Sequence, residues 1–217
     1  MTLLHIFSEV WALLSDIRGT MNGWMQDYGN WLYGILFLIV FVETGLVVMP
    51  LLPGDSLLFT AGVLAADPAN NFNIYLLIPL LILAALLGDN TNYFIGSKVG
   101  VRIFDLKWRL LKKEYLDQTH AFYEKHGGKA LIMARFVPIV RTFAPFAAGL
   151  GTMTYRKFIV YCIAGAVLWV SSISMAGYFL GSNEWVQANF EKVVLGIVFL
   201  SVMPMLWQFA KSKLSKK

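Results

Sequence analysis

Residues 41–62 read FVETGLVVMPLLPGDSLLFTAG, an apolar run that two prolines interrupt and that carries two acids, Glu43 and Asp55. A proline inside a helix removes one backbone hydrogen bond and clashes with the preceding turn, so Pro50 and Pro53 predict a break in the helix. A charge at the centre of a bilayer costs about 2.5–3.5 kcal/mol on insertion scales. The run is therefore apolar enough for a membrane but contains groups that a membrane should exclude.

A second broken run, residues 134–149, reads ARFVPIVRTFAPFAAG and carries two bases, Arg135 and Arg141. The two acids and two bases together cost about 10 kcal/mol unless they meet each other, water or a ligand. Buried charges of this kind mark the path of a polar or ionic substrate by default. We expect the breaks at five positions, namely Pro50, Pro53, Gly54, Pro138 and Pro145.

The composition is typical of a polytopic membrane protein. The 217 residues are 58% hydrophobic and 14% charged, with a mean hydropathy of +0.62. Residues 98–129 contain eight Lys or Arg residues and four acids, and residues 211–217 contain four more bases. Such juxtamembrane bases indicate cytoplasmic segments and membrane lipid contacts, not a nucleic-acid partner. The acidic segments 67–73 and 183–191 are expected outside.

Three uncharged or nearly uncharged stretches are long enough to cross the hydrocarbon core. They are residues 74–97, whose single charge is Asp89, residues 158–183 and residues 193–210. We expect residues 1–29 to be an interfacial amphipathic segment and residues 30–210 to be a single membrane domain. That domain includes the basic amphipathic segment 98–129, and residues 211–217 form a basic cytoplasmic tail. The one cysteine, Cys162, permits no internal disulfide and is interpreted as packing.

Parity of the spans predicts re-entrant hairpins. The segments 98–129 and 211–217 share a side only if residues 130–155 return to the face from which they entered. Residues 31–66 are interpreted as a second hairpin that enters from the opposite face, although 31–49 could instead cross fully. The predicted fold is an all-α polytopic membrane protein. It has about three transmembrane helices, two oppositely entering hairpins and interfacial amphipathic helices, arranged as an inverted repeat.

Four strings resemble the bacterial DedA family, which shares its membrane core with the VTT-domain lipid scramblases. They are E-x6-P-x2-P-G-D at 43–55, GDNTNYFIG at 88–96, FYEKHGGKA at 122–130 and ARFVPIVRTFAPFAAG at 134–149. The resemblance implies a place in the bacterial inner (cytoplasmic) membrane. It also implies transport of undecaprenyl phosphate, a polyprenyl phosphate carrier of cell-wall precursors, with proton coupling discussed for some members. The acids and arginines that matter in the family fall on Glu43, Asp55, Arg135 and Arg141.

The resemblance and the residue types together suggest roles for these side chains. Arg135 and Arg141 would hold a phosphate, because the planar guanidinium matches phosphate oxygens and stays charged when desolvated. Glu43 and Asp55 would take up protons or compete for the arginines. The structural alternative is an ion-pair cluster that closes the hairpins on each other. For Asp89, an accessory site role and a helix-packing role are equally supported.

Several functions are compatible with these features. The first is a lipid-phosphate translocase, and the second is a proton-coupled transporter of a small ion or solute. A membrane enzyme is not expected, since the apolar segments hold no His, metal-ligand set or nucleophile paired with a base. A scaffold would leave the four charges without a use beyond structure. We expect no cofactor and no metal, and a homo-oligomer is left open.

Overall fold

The computed structural model describes residues 17–46, 54–70, 72–105, 127–136, 138–190, 192–193 and 195–197. Over these residues the regular elements are helical and no strand occurs, which confirms the all-α expectation. The elements are α1 (Ile17–Tyr28), α2 (Trp31–Gly45), α3 (Gly54–Ala66), a 3-10 turn (Pro68–Asn70), α4 (Ile74–Asp105), α5 (Lys129–Ala134), α6 (Pro138–Ala147), a π-helical turn (Ala148–Thr152), α7 (Tyr155–Gly181) and α8 (Glu184–Ala188).

Within the described residues, two helices are long and apolar enough to cross a membrane, Ile74–Lys98 within α4 and Tyr155–Gly181, which is α7. They correspond to two of the three expected spans. Most of the third, 193–210, lies outside the described residues, as do residues 1–16, most of the basic segment 98–129 and the tail 211–217. The expected membrane sides of these segments therefore stay predictions.

In its described residues, each proline-broken segment consists of short helices. Residues 31–66 hold α2 and α3, and the expected breaks Pro50 and Pro53 lie outside the described residues. Gly54 and Pro138 are the first residues of α3 and α6, so both stand at helix boundaries as expected. Whether these segments return to the face from which they enter stays a prediction.

Pro145 differs from the expectation, because α6 continues through it to Ala147 and then widens into the π-helical turn. Its missing N–H costs one backbone hydrogen bond to the turn before it. A π-helical turn is one way in which a helix accommodates a local disruption of this kind. The change of helix geometry thus comes after Pro145 and not at it.

The described residues form two compact units, each discontinuous in sequence. The first unit takes its described residues from 1–39, 51–81 and 170–217, and the second from 40–50 and 82–169. In the first unit, α1 packs against α3, and the cluster of Phe59, Val63, Val186 and Phe190 forms a buried apolar centre. Arg18 of α1 places its guanidinium 5.1 Å from the ring centroid of Phe190.

Glycines let α3 approach the C-terminal part of α7 closely within the first unit. A Cβ on Gly62 would overlap the backbone oxygen of Ser174, and a Cβ on Gly177 would overlap that of Phe59. The two helices are thus in backbone contact, the arrangement that small residues permit in membrane helices. A Cβ on Gly181 would lie 2.9 Å from the Cα atom of Val63, so the close contact extends along the helix.

The second unit repeats this contact with different helices. A Cβ on Gly149, in the turn after α6, would overlap the backbone oxygen of Tyr93, and a Cβ on Gly96 would overlap that of Phe146. In both units the short helix carries Phe-x-x-Gly, as FTAG at 59–62 and FAAG at 146–149. The broken segment of each half of the chain therefore packs on the long helix of the other half.

Candidate functional site

The second unit contains a buried ion pair between Arg141 and Glu43. Arg141 lies in the first turns of α6, and the residue is 7% exposed. Glu43 lies near the end of α2 and is 1% exposed. The Arg141 guanidinium donates to Oε1 of Glu43. A buried charge is tolerated when an opposite charge contacts it, so each of these side chains stabilises the other in its buried position.

A second buried ion pair joins Arg135 and Asp89 in the same unit. Arg135 lies in the turn after α5 and donates to Oδ2 of Asp89, which lies in the middle of α4. The Cys162 thiol of α7 also donates to this oxygen, with Sγ 2.9 Å from Oδ2. Sγ in turn accepts a hydrogen bond from Arg135 at 3.4 Å. Three elements thus converge on a single carboxylate.

Trp169 of α7 provides an aromatic face for both arginines. The Cζ atom of Arg141 is 4.9 Å from the ring centroid of Trp169, and that of Arg135 is 5.9 Å from it. The indole is fully buried, so these cation–π contacts are made away from water, where they are strongest. One ring therefore holds the two guanidinium groups near each other.

Asn92 connects the two elements that carry the Arg141–Glu43 pair. Its Nδ2 donates to the backbone oxygen of Thr44 at 3.3 Å and to that of Thr142 at 2.6 Å. Thr44 follows Glu43 and Thr142 follows Arg141, so the amide fixes the distance between the backbones on which the ion pair stands. Asn92 is completely buried, three residues after Asp89 on α4.

A small cavity lies against the two arginines. It is lined by Asp89, Leu131, Arg135, Arg141, Ala144, Pro145 and Cys162. The centre of a water molecule can occupy about 10 Å³ of it, which is room for about one water. A phosphate group is larger than that, so it could reach these guanidiniums only if the carboxylates that now contact them moved away. In the described geometry the cavity therefore has no room for a phosphate group.

Asp55 is described in the first unit. It lies in the first turn of α3, directly after Gly54, and is 8% exposed. A carboxylate in the first turn of a helix interacts favourably with the helix dipole. Of the predicted site residues, the structure brings Glu43, Asp89, Arg135 and Arg141 together in the second unit.

Three further residues of this site were not predicted from the sequence as site residues. Cys162 packs among apolar side chains as interpreted, yet its thiol also reaches Asp89 and Arg135. Trp169 and Asn92 were assigned no functional role from the sequence, although Asn92 lies in the GDNTNYFIG string. The three-residue spacing of Asp89 and Asn92, which puts both on one helix face, was the signal that could have found Asn92.

The arrangement defines a class of protein, a helical protein with candidate membrane spans and with buried arginine–carboxylate pairs beside a small cavity. The chain belongs to the DedA family of VTT-domain membrane proteins, since the VTT domain model matches residues 52–179. It is 52% identical over 181 residues to Protein DedA of Escherichia coli K12, covering 83% of each chain. This confirms the resemblance seen in the sequence motifs.

Two other relatives place this membership in context. An uncharacterized membrane protein of Mycobacterium tuberculosis is 49% identical over 179 residues, covering 82% of this chain and 78% of that one. Inner membrane protein YqjA of E. coli K12 is 32% identical over 198 residues, covering 87% of this chain and 89% of its own. No solved structure matches the chain. The protein is thus a membrane protein of this family, and the name of YqjA supports an inner-membrane location.

The names of these three relatives describe membrane proteins or DedA itself and state no enzymatic activity. Within the residues that the structure describes, no group of three or more His, Cys, Asp and Glu side chains is placed to hold a metal ion.

Proposed function

We propose that this protein moves a lipid phosphate, undecaprenyl phosphate, across the bacterial inner membrane. The observation that carries the proposal is the pair of buried guanidiniums, Arg135 and Arg141, at one cavity and over one indole ring. Arginine presents a planar fork of N–H donors that matches phosphate oxygens, and it remains charged when water is excluded. Two such forks near one another suit a group with several anionic oxygens.

Binding in this proposal is an exchange of anions. Each arginine now contacts a carboxylate, Glu43 for Arg141 and Asp89 for Arg135. A phosphate that takes the place of a carboxylate keeps the arginine neutralised, so little additional free energy is needed to desolvate the cation. The carboxylates therefore act as internal substitutes for the substrate in the empty state.

Exchange leaves a carboxylate buried without its cation, and this couples transport to protons. A buried acid in that position is neutralised most cheaply by taking up a proton. Glu43 is the proposed proton acceptor beside Arg141. Asp55, buried in the first unit, is proposed as a second acid in the same cycle.

The second candidate is a proton-coupled transporter of a small ion or solute, in which the arginines only tune the acids. The size of the cavity favours it, since there is room for about one water and not for a lipid headgroup. This candidate predicts no affinity for a polyprenyl phosphate, so direct binding separates the two.

The deciding experiment measures binding of undecaprenyl phosphate to the purified protein, with undecaprenol and inorganic phosphate as matched controls. We expect undecaprenyl phosphate to bind, undecaprenol to bind weakly or not at all, and Arg141→Lys to lower the affinity although the charge is kept. The lysine ammonium cannot offer the bidentate fork. If the wild type binds undecaprenol as well as undecaprenyl phosphate, or neither at any pH, the lipid-phosphate function is wrong.

A further inference from the structure

Asp89 is held by groups from two elements other than its own. Arg135 donates to its Oδ2, and the Cys162 thiol donates to the same oxygen over 2.9 Å. Asp89 is 3% exposed and lies on a helix that is long and apolar enough to span a membrane. An ionised carboxylate at such a place depends on its donors, because the cavity beside it has room for only about one water.

The charged and titratable groups around Asp89 come from every element that lines its cavity. They are Arg135 from the turn after α5, Arg141 from α6, Cys162 from α7, Tyr93 one turn along α4, and Glu43 of α2 through its pair with Arg141. Arginine remains protonated in proteins, and the Tyr93 hydroxyl donates to the backbone oxygen of Met153 at 3.0 Å. The acids that can change charge beside the arginines in this unit are therefore Asp89 and Glu43.

We infer that Asp89 is the proton-linked positioning residue of Arg135: ionised Asp89 holds the guanidinium, and protonated Asp89 releases it to a phosphate. The phosphate part of this inference rests on the proposed function, while the proton link does not. In the exchange one proton moves from the aqueous phase to a carboxylate oxygen of Asp89, and Arg135 keeps all of its own. The phosphate's own negative charge then takes the place of the charge that Asp89 lost on protonation.

Cys162 supplies a built-in reporter of this event. It is the only cysteine of the chain, so the protein has a single S–H stretching band in the infrared. A thiol that donates to a carboxylate has a weakened S–H bond and hence a lowered stretching frequency. When Asp89 takes up a proton it becomes a poorer acceptor, so the frequency should rise.

The experiment follows this band by infrared difference spectroscopy in the full-length protein in detergent, first against pH and then on adding undecaprenyl phosphate. We expect the frequency to rise as the pH falls, and to rise at neutral pH when the lipid is added. Asp89→Asn should fix the band at the higher frequency under all conditions. Glu43→Gln, which removes the acid of the other pair, should leave the pH titration of the band in place.

The outcomes separate the inference from the proposed function. If the band moves with acid in wild type and in Glu43→Gln, while undecaprenyl phosphate neither binds nor moves it, the proton link stands and the lipid-phosphate function is wrong. If the band does not move with pH in the wild type, the inference about Asp89 is wrong whatever the lipid does. That test needs only the wild type, so it holds even where Asp89→Asn fails to accumulate.

Proton uptake provides an independent measure. A pH-indicator dye in weakly buffered solution should report protons taken up when undecaprenyl phosphate binds, and fewer of them in Asp89→Asn. Undecaprenyl phosphate that binds wild type and Asp89→Asn with equal uptake would assign the protons elsewhere and overturn the inference.

Discussion

The guanidinium of Arg141 donates to the carboxylate of Glu43 across 98 residues of sequence, with both side chains buried. Arg141 comes from the second broken segment of the chain and Glu43 from the first. An ion pair between the two segments is what the structural alternative also predicts, so contact alone does not separate a site from a structural clasp. The separation requires variants in which stability and function are measured apart.

Removing one member of this pair should destabilise the protein. Glu43→Gln or Arg141→Gln leaves a buried charge without its counter-ion, which costs about 3–5 kcal/mol in buried pairs. The double variant Glu43→Gln with Arg141→Gln removes both charges and should recover most of the thermal stability. We expect the double variant to accumulate in the membrane yet fail in complementation. A stable double variant that also complements would show that the pair is only structural.

Lipid-phosphate affinity should rise as the pH falls. Acid neutralises the carboxylates, and each protonated acid gives up its hold on an arginine, so the phosphate competes with fewer anions. The gain ends where the phosphate itself becomes protonated. Binding of undecaprenyl phosphate against pH in wild type and Glu43→Gln tests this, and the variant should show a shallower dependence. Affinity that falls steadily on acidification would contradict the exchange model.

Asn92 should matter for both stability and binding. Asn92→Leu removes the amide donor that joins the backbone oxygens of Thr44 and Thr142, and the loss of a hydrogen bond of this kind costs about 0.5–1.5 kcal/mol. Because these oxygens flank the Glu43–Arg141 pair, phosphate affinity should fall as well. Thr91→Val is the control, since the Thr91 hydroxyl makes an exposed hydrogen bond within its own helix, to the backbone oxygen of Leu87 at 2.8 Å. Equal effects of the two substitutions would show that the hydrogen bonds of Asn92 have no particular role beside the ion pair.

The close helix contacts predict a sharp difference between glycines. Gly62→Ala and Gly149→Ala would each force a methyl group into a neighbouring backbone, and overpacking of this kind costs about 1–3 kcal/mol. Gly34→Ala in α2 is the matched control, because a Cβ there meets nothing within 4 Å and alanine is the better helix former. Thermal unfolding in detergent measures the difference. Unfolding temperatures that stay unchanged in both core variants would contradict the described packing.

The predicted re-entrance of the second broken segment can be tested by labelling. Single cysteines at Lys129 and Arg156, both exposed, would be introduced on a Cys162→Ala background whose function is checked first. If residues 130–155 return to the face from which they enter, both positions react with a membrane-impermeant thiol reagent from the cytoplasmic side. Labelling of the two from opposite faces would show that the segment crosses.

Local physical chemistry allowed several features to be predicted from the sequence. Long uncharged runs gave the helices Ile74–Lys98 and Tyr155–Gly181, because hydrophobic length alone decides whether a helix can span. Proline and glycine placed helix boundaries at Gly54 and Pro138. The role of the Phe-x-x-Gly strings at 59–62 and 146–149 was recognised only in the structure, which shows the backbones that they contact.

Only the tertiary structure decided which acid meets which arginine. Asp89 and Arg135 are 46 residues apart, and their pairing depends on which faces of α4 and the turn after α5 meet. The same holds for the Cys162 thiol and the Trp169 ring, which sequence patterns cannot distinguish from ordinary packing residues. Charge type and depth are properties of a residue and its neighbours along the chain, so the sequence determines them. Which acid pairs with which arginine depends on the helix surfaces that pack together, so it is decided only once the helices are assembled.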